Sequence, residues 1–352
     1  MNRGLNISVV PRTLHFKQPA GTSRGVYTER RVWYVVVRDA DGRMGVGECA
    51  PLPKLSCDDL PDYEDILRGF CRDAELTGTY DAEVMRSYPS MLFGLETAFR
   101  HLESGSVRFF ENSFSSGQTG ILINGLIWMG TYDEMKARIE EKTALGFKCI
   151  KLKIGAIDFE RELDLIRMIR SEFPASMVEL RVDANGAFAP DDALDRLCRL
   201  SQYGLHSIEQ PIRAGQWEAM AQLCRQTPLP IALDEELIGV NSPDQKRQLL
   251  DTVKPQYIIL KPSLHGGIAG SKEWIRLADE RGIGWWITSA LESNVGLNAI
   301  AQWVGTLSPS IPQGLGTGLL FTDNIDYPLT IRGERLWMEG GKEPSFAEYL
   351  RL

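Results

Sequence analysis

Apolar stretches of strand length recur along the chain, and each ends in a polar side chain. They are FKCIKLK closing at Lys153, ELRVDAN carrying Asp183, HSIEQ carrying Glu209, IALDE carrying Asp234, YIILK closing at Lys261 and WWITS closing at Ser289. Successive polar ends lie 30, 26, 25, 27 and 28 residues apart. A strand, a crossover helix and two short loops take about that many residues. The intervening helices are visible as stripes. Phe159, Leu163, Ile166, Ile169 and Phe173 form one, closed by Pro174; Leu194, Leu197 and Leu200 form another, ended by Gly204. Ile121 to Leu126 reads as an earlier strand, and QGLGTGLLF around Gly316 as an eighth. The pattern predicts a βα barrel, in which the strand ends converge on one pocket.

The first hundred-odd residues follow another rhythm. Arg31 to Val37 alternates as a strand, Asp41-Gly42 is a turn signal, and Met44 to Glu48 resumes a strand. Two helical patterns follow, the second from Pro89 to Leu102 with Leu92, Leu95, Phe99 and Leu102 on one face. Gly105 to Gly120 is polar and rich in Ser and Gly, a boundary signal. The expected division is an α+β domain over 1–118 and a barrel over 119–325. Residues 326–352 contain no βα unit and are expected to pack back on the first domain.

Composition narrows the function classes. The chain has 352 residues, 43% hydrophobic and 24% charged, as in an ordinary globular protein, and its net charge of −8 with no basic cluster argues against a nucleic-acid partner. No apolar run approaches the roughly 20 residues of a membrane span, and MNRGLNISVVPRTLHF lacks the core of a signal peptide. The six cysteines are scattered with no C-x-x-C pair, which suits a reduced, cytoplasmic protein. The four histidines are equally dispersed, so a metal site must be built from oxygen.

Side chains two apart on a strand share a face. Lys151 and Lys153 therefore point inward together, as do Arg181, Asp183 and Asn185, and likewise Tyr257, Ile259 and Lys261. Three carboxylates, Asp183, Glu209 and Asp234, end adjacent strands; crowded, they repel unless a cation joins them. An all-oxygen set selects a hard ion, Mg²⁺ with Mn²⁺ as substitute. Such an ion stabilises charge developing on a substrate carboxylate. Lys153 and Lys261 flank the acids and would face each other across the barrel mouth. A lysine whose pKa is lowered by the ion, by Lys151 and by burial is a competent base. This arrangement suits removal of a proton α to a carboxylate, giving an enediolate. An isolated strand-end acid is more often a cap or salt-bridge partner, an isolated K-x-K a solvated strand, and Arg181 a structural partner; the ordered series outweighs those readings. Gly314, Gly316 and Gly318 miss the dinucleotide-loop spacing and fit close backbone approach or a tight barrel end.

At these residues the chain resembles the enolase superfamily, in the muconate-lactonizing-enzyme-like group with a lysine on both sides. K-L-K at 151–153, V-D-A-N at 182–185, I-E-Q-P at 208–211, L-D-E at 233–235 and L-K-P-S at 260–263 follow that group's order and spacing. The resemblance implies a modified TIM barrel, (β/α)7β, with an α+β N-terminal capping domain. Further segments, G-E-C-A-P-L-P at 47–53, F-G-L-E-T-A at 93–98, I-N-G-L-I-W-M-G at 123–130, S-A-L-E-S-N-V-G-L at 289–297 and Q-G-L-G-T-G at 313–318, resemble its dehydratase branch. That implies Mg²⁺-dependent dehydration of 2-succinyl-6-hydroxy-2,4-cyclohexadiene-1-carboxylate to 2-succinylbenzoate, in menaquinone biosynthesis. By the same resemblance Lys153 removes the α-proton and protonates the departing hydroxyl, and Lys261 stabilises the enediolate by its charge. Asp183, Glu209 and Asp234 bind the metal, and Lys151, Asn185 and Glu235 support them. Ser289, Ser263, Gly316 and Arg24 are the candidate substrate contacts, with Gln18 to Thr28 as a lid over the mouth. Lys54 departs from the branch's A-P-L-P-G, which bears on the lid's shape. The implied partner is a small carboxylate, and the chain is a monomer or homo-oligomer. The alternatives are a dipeptide epimerase, an N-acylamino acid racemase, a cycloisomerase or a barrel that only binds. An epimerase tends to carry an acidic D-x-D at the eighth strand, whereas here no acid precedes Asp323.

Overall fold

A computed structural model of the chain describes residues 4–22, 25–128, 130–317, 320–340 and 343–351. Its elements begin with strands β1 (Asn6–Thr22), β2 (Gly25–Arg38) and β3 (Met44–Cys49), then helices α1 (Tyr63–Thr77) and α2 (Pro89–Ser104). The βα series follows: β4 (Ile121–Leu122), β5 (Gly125–Ile127), α3 (Tyr132–Ala144), β6 (Cys149–Lys153), α4 (Phe159–Glu172), β7 (Glu179–Asp183), α5 (Pro190–Ser201), β8 (Ser207–Glu209), α6 (Trp217–Gln226) and β9 (Ile231–Leu233). It continues through α7 (Pro243–Val253), β10 (Tyr257–Leu260), α8 (Gly267–Asp279), β11 (Gly284–Ile287) and α9 (Asn294–Leu307), and the chain closes with β12 (Leu329–Arg332), β13 (Arg335–Met338) and α10 (Phe346–Leu350).

β5 to β11 form one seven-stranded sheet in sequence order, and its neighbouring strands run parallel. Each strand's outward residues, such as Ile150, Leu152, Leu180 and Val182, are buried under the stripes already read from the helices, including Leu163, Ile166, Ile169, Leu197 and Leu200. The ring closes through Gln313 and Gly314. Gln313 bridges to Ile123 and Gly314 to Thr288, both parallel. The amides of Gln313 and Gly314 donate to Leu122 and Ile287 at 2.8 Å, and their carbonyls accept from Asn124 and Ser289 at 3.0 Å. The eighth strand is thus a pair of bridging residues rather than a full strand. Glycine is required at 314: a Cβ there would stand 2.1 Å from Thr288 Oγ1. The expected strand Ile121 to Leu126 also divides. Ile121–Leu122 pairs antiparallel with β13, Ile123 makes the seam bridge to Gln313, and Gly125–Ile127 pairs with β6 in the seven-stranded sheet.

β1, β2 and β3 make an antiparallel meander. The alternation of β2 buries both of its faces. Trp33, Val35 and Val37 pack with Leu67, Leu92, Leu95 and Phe99 of α1 and α2. Val32, Tyr34 and Val36 pack with Val295 of α9 and with Phe346 and Leu350 of α10. Gly105 to Gly120 carries no helix or strand and joins α2 to β4. The C-terminal segment serves both sides: the β12–β13 hairpin extends β4, while α10 lies on the N-terminal meander.

The segment expected as a lid is mostly strand. Ala20, Gly21 and Thr22 of β1 pair with Tyr27, Val26 and Gly25 of β2. Lys17 N donates to Leu320 O at 2.8 Å and Phe16 bridges Phe321, so this hairpin lies against the chain just beyond the barrel seam. Arg24 lies outside the described residues. All six cysteines are free thiols, and no helix among the described residues is long and apolar enough to cross a membrane.

Candidate active site

The parallel register aligns the strand ends. Lys153 pairs with Asp183 and Asp183 with Glu209, while Asp234 and Lys261 follow the last residues of β9 and β10. The five expected side chains therefore meet, and salt bridges order them. Lys151 Nζ lies 2.8 Å from Asp183 Oδ2 and also contacts Glu209 Oε2. Lys153 Nζ donates to Asp183 Oδ2 at 2.8 Å and to Asn185 Oδ1 at 2.7 Å. Lys261 Nζ donates to Asp234 Oδ2. Asn185 Nδ2 in turn donates to Glu235 Oε1 at 2.9 Å. Asn185 and Gln210, which follow β7 and β8 closely, have φ of 44° and 39°, the strained left-handed backbone that clusters at functional sites.

Burial and charge pull these groups apart in pKa. Burial pushes the Asp183 carboxyl up, but the Lys151 and Lys153 ammoniums outweigh it and hold it well below the usual range. Asp234 is lowered in the same way, with Lys261 outweighing burial. Glu209 moves far up, through burial and the neighbouring Asp183. Glu235 is also raised, by burial and Asp234. Burial acts to lower Lys261, as expected, but Asp234 and Glu209 raise it on balance; Lys151 is raised likewise by Asp183 and Glu209 against burial.

The donor set has the chemistry a hard divalent cation needs. Asp183, Glu209 and Asp234 are all buried, and Glu209 Oε1, Asp234 Oδ1 and Glu235 Oε2 have no hydrogen-bond partner. Buried oxygens left without partners are costly unless something positive or protic meets them. The carboxylates do not converge on one point, however: among the described residues no three acidic, His or Cys side chains approach closely enough to hold one ion. Lys151 stands between Asp183 and Glu209, and Lys261 draws Asp234 to itself. Ion binding requires those ammoniums to yield.

A cavity of about 540 Å³ opens over this cluster. Lys151, Lys153, Glu209 and Lys261 reach its wall, whereas Asp183 and Asp234 do not. Ser289 and Gly316 line it, as expected. Ser263 does not. It is fully buried, and its hydroxyl donates to Glu292 Oε1 at 2.5 Å. Gln18, the first residue of the expected lid, lines it too, whereas sequence reasoning passed over Asn124, Trp286, Thr288 and Thr317, which also line the cavity. Strand alternation carried a signal for two of them, because Thr288, one residue past β11, falls on the same face as Trp286. Below them the Arg181 guanidinium stacks 4.4 Å from the Trp286 ring and donates to Glu179 and to Pro312 O. Arg181 is a floor residue and no partner of the strand-end acids.

A ring of parallel strands with lysines on both flanks of three strand-end carboxylates defines a class, and comparison bears it out. The family model for enolase C-terminal domain-like proteins matches residues 134–338, and the chain belongs to the enolase superfamily. Among its relatives is an o-succinylbenzoate synthase of Desulfotalea psychrophila, 46% identical, with 94% of this chain and 98% of that protein aligned. The crystal structure of MenC from the same organism superposes with a TM-score of 0.83 at 43% identity, covering 95% of this chain and 99% of that one. The L-Ala-D/L-Glu epimerase of Bacillus subtilis, solved with substrate, shares the fold at a TM-score of 0.81 but only 21% identity, over 96% of each chain.

Proposed function

We propose that this chain is an o-succinylbenzoate synthase, dehydrating 2-succinyl-6-hydroxy-2,4-cyclohexadiene-1-carboxylate to 2-succinylbenzoate. The observation that carries this reading is the 46% identity to such a synthase over nearly the full length of both chains. The cavity agrees with it. A lysine on one side can take the α-proton and return it to the departing hydroxyl, while a lysine on the other side offsets the enediolate charge. An epimerase that grips a substrate ammonium needs an acid near the seam. The first acid beyond Gly314 is Asp323, whose Oδ2 pairs with His15 Nδ1 at 2.8 Å.

In this reading Asp183, Glu209 and Asp234 hold a divalent cation, Mg²⁺ being the best match for three carboxylates. When bound, it supplies positive charge that stabilises the substrate carboxylate as its α-carbon is deprotonated. Neutral Lys153 takes the α-proton, and the electron pair moves into the carboxylate to give an enediolate. The resulting Lys153 ammonium returns that proton to the leaving hydroxyl, so one water departs and the ring becomes aromatic. Lys261 keeps its proton throughout and offsets the enediolate charge. Asn185 orients Lys153 through its Oδ1 and is itself held by Glu235. Such a protein acts on a small carboxylate in solution, in keeping with a cytoplasmic location.

The test is turnover of freshly made substrate with Mg²⁺ and again with excess EDTA. Fast, metal-dependent formation of 2-succinylbenzoate is the expected result. Folded, metal-loaded protein that produces none would overturn the reading.

A further inference from the structure

The loop that follows β11 forms one wall of the cavity, through Ser289, Ala290 and Leu291. Its conformation is not one the local chain prefers: Leu291 has a φ of 63°, which costs a non-glycine residue about 1 kcal/mol or more. The hydrogen bonds that hold it come from far away in sequence. Arg30 of β2, 2% exposed, donates through one terminal nitrogen to Ala290 O and through the other to Ala50 O at 2.5 Å. Glu48 of β3, fully buried, accepts from Ser293 N at 2.8 Å, Ser293 Oγ at 2.5 Å and Gly296 N at 2.8 Å. Ser293 caps α9 and Gly296 N belongs to its first turn, so the carboxylate also meets the favourable end of the helix dipole. Tyr34 Oη donates to Ser293 Oγ at 3.0 Å. Gly296 leaves the needed room, since a Cβ there would lie 3.0 Å from Glu48 Oε2.

The other side of the loop is fixed from within the barrel. Glu292, fully buried, accepts from Ala290 N at 2.7 Å and from Ser263 Oγ at 2.5 Å. Ser263 lies two residues past Lys261. Ala290 is therefore held at both its amide and its carbonyl, one by the barrel and one by the N-terminal meander.

We propose that Arg30 and Glu48 are positioning residues for the substrate cavity: they fix the Ser289–Leu291 wall against which the substrate lies, and so set substrate affinity rather than the chemical step. This deepens the synthase reading and rests on it for its substrate. An interaction that binds substrate and transition state alike appears in KM and leaves kcat alone.

The experiment compares wild type with Arg30→Met, Arg30→Lys, Glu48→Gln and Ser293→Ala in steady-state dehydration and in calorimetric binding of 2-succinylbenzoate. Arg30→Met is expected to raise KM and weaken product binding by about 10-fold or more, the usual worth of a charged hydrogen bond, with kcat within about 3-fold of wild type. Arg30→Lys, which keeps the charge and one donor, recovers part of the loss. If Arg30→Met does not fold, Ser293→Ala leaves both charged residues in place and shifts KM in the same direction by a few fold. Unchanged KM and product affinity in folded Arg30→Met, or a fall in kcat matching the fall in kcat/KM, would overturn the proposal. Amide exchange separates this from failure of the synthase reading, because it needs no substrate. Arg30→Met should speed exchange at Ala290 and Leu291 while leaving Glu179 to Asp183 protected; equal protection in both proteins rejects the positioning role even if wild type proves inactive.

Discussion

Two of the buried polar clusters on this fold are built on opposite terms. At the barrel mouth, Glu209 Oε1, Asp234 Oδ1 and Glu235 Oε2 have no partner, and lysine ammoniums on long stems balance the charge. At the meeting of the meander and the β11 loop, both oxygens of Glu48 and of Glu292 are taken up by amides and hydroxyls, and of the described charged groups there only Arg30 Nε is left without a partner. A satisfied network has one arrangement and rigidifies its surroundings. An unsatisfied one is paused between arrangements and can accept an ion, a proton or a substrate. The same residue type is fully bonded in one place and left open in the other, and the difference lies in what meets its second oxygen.

Removing Lys153 breaks the mouth most severely. Lys153→Ala should lower kcat by about 10²- to 10⁴-fold, the range for a lost general base, with Mg²⁺ affinity retained. A near-normal rate would remove Lys153 from the mechanism. Asp234→Asn should weaken Mg²⁺ binding by at least the roughly 10- to 100-fold seen when even a supporting group is lost. Calorimetric titration checks this, and unchanged affinity would take Asp234 out of the ligand set. The second cluster should answer differently: Glu48→Ala strands three buried donors and should cost about 3 kcal/mol of stability while Mg²⁺ affinity holds. Urea unfolding beside the same titration decides it.

The smallest effect is the sharpest contrast. Burial raises the Glu48 carboxyl above its ordinary 4.5, Ser293 lowering it only in part, so the folded state binds more protons than the unfolded one as pH climbs past that value. Stability from this group falls with rising pH. Asp183 runs the other way. Its carboxyl is depressed, so its contribution is present above the ordinary 3.8 and is lost as pH falls below it. In EDTA-treated protein, Glu48→Gln should flatten the decline above about pH 4.5, and Asp183→Asn the loss at the acid end. Urea midpoints from pH 3 to 8 read both slopes, and equal slopes in the two variants would erase the distinction.

The mouth was legible in the sequence because each barrel strand carries its polar residue at a fixed place, its end, and the fold repeats that place every 25 to 30 residues. The second cluster was not. Arg30 and Ala290 are 260 residues apart, and Glu48 and Ser293 are 245 apart, with no periodicity to join them. β1 escaped for a related reason. It is an edge strand, so Pro11 and Pro19 are tolerated there and no alternation marks it. Ser263 misled because it stands two residues past Lys261, which reaches the cavity, while the chain turns Ser263 inward to Glu292. Thr288 was passed over for Ser289, although alternation places Thr288 on the inner face.

The barrel is joined at its seam by two residues, whereas β6 and β7 meet along five. That seam also lines the cavity, through Gly314, Gly316 and Thr317. Breathing of the ring and release of a bound molecule thus draw on the same few backbone bonds. A ligand spanning from the lysines to Gly316 acts as a hoop, slowing amide exchange at 313–314 and raising the melting temperature with the logarithm of its concentration over its Kd.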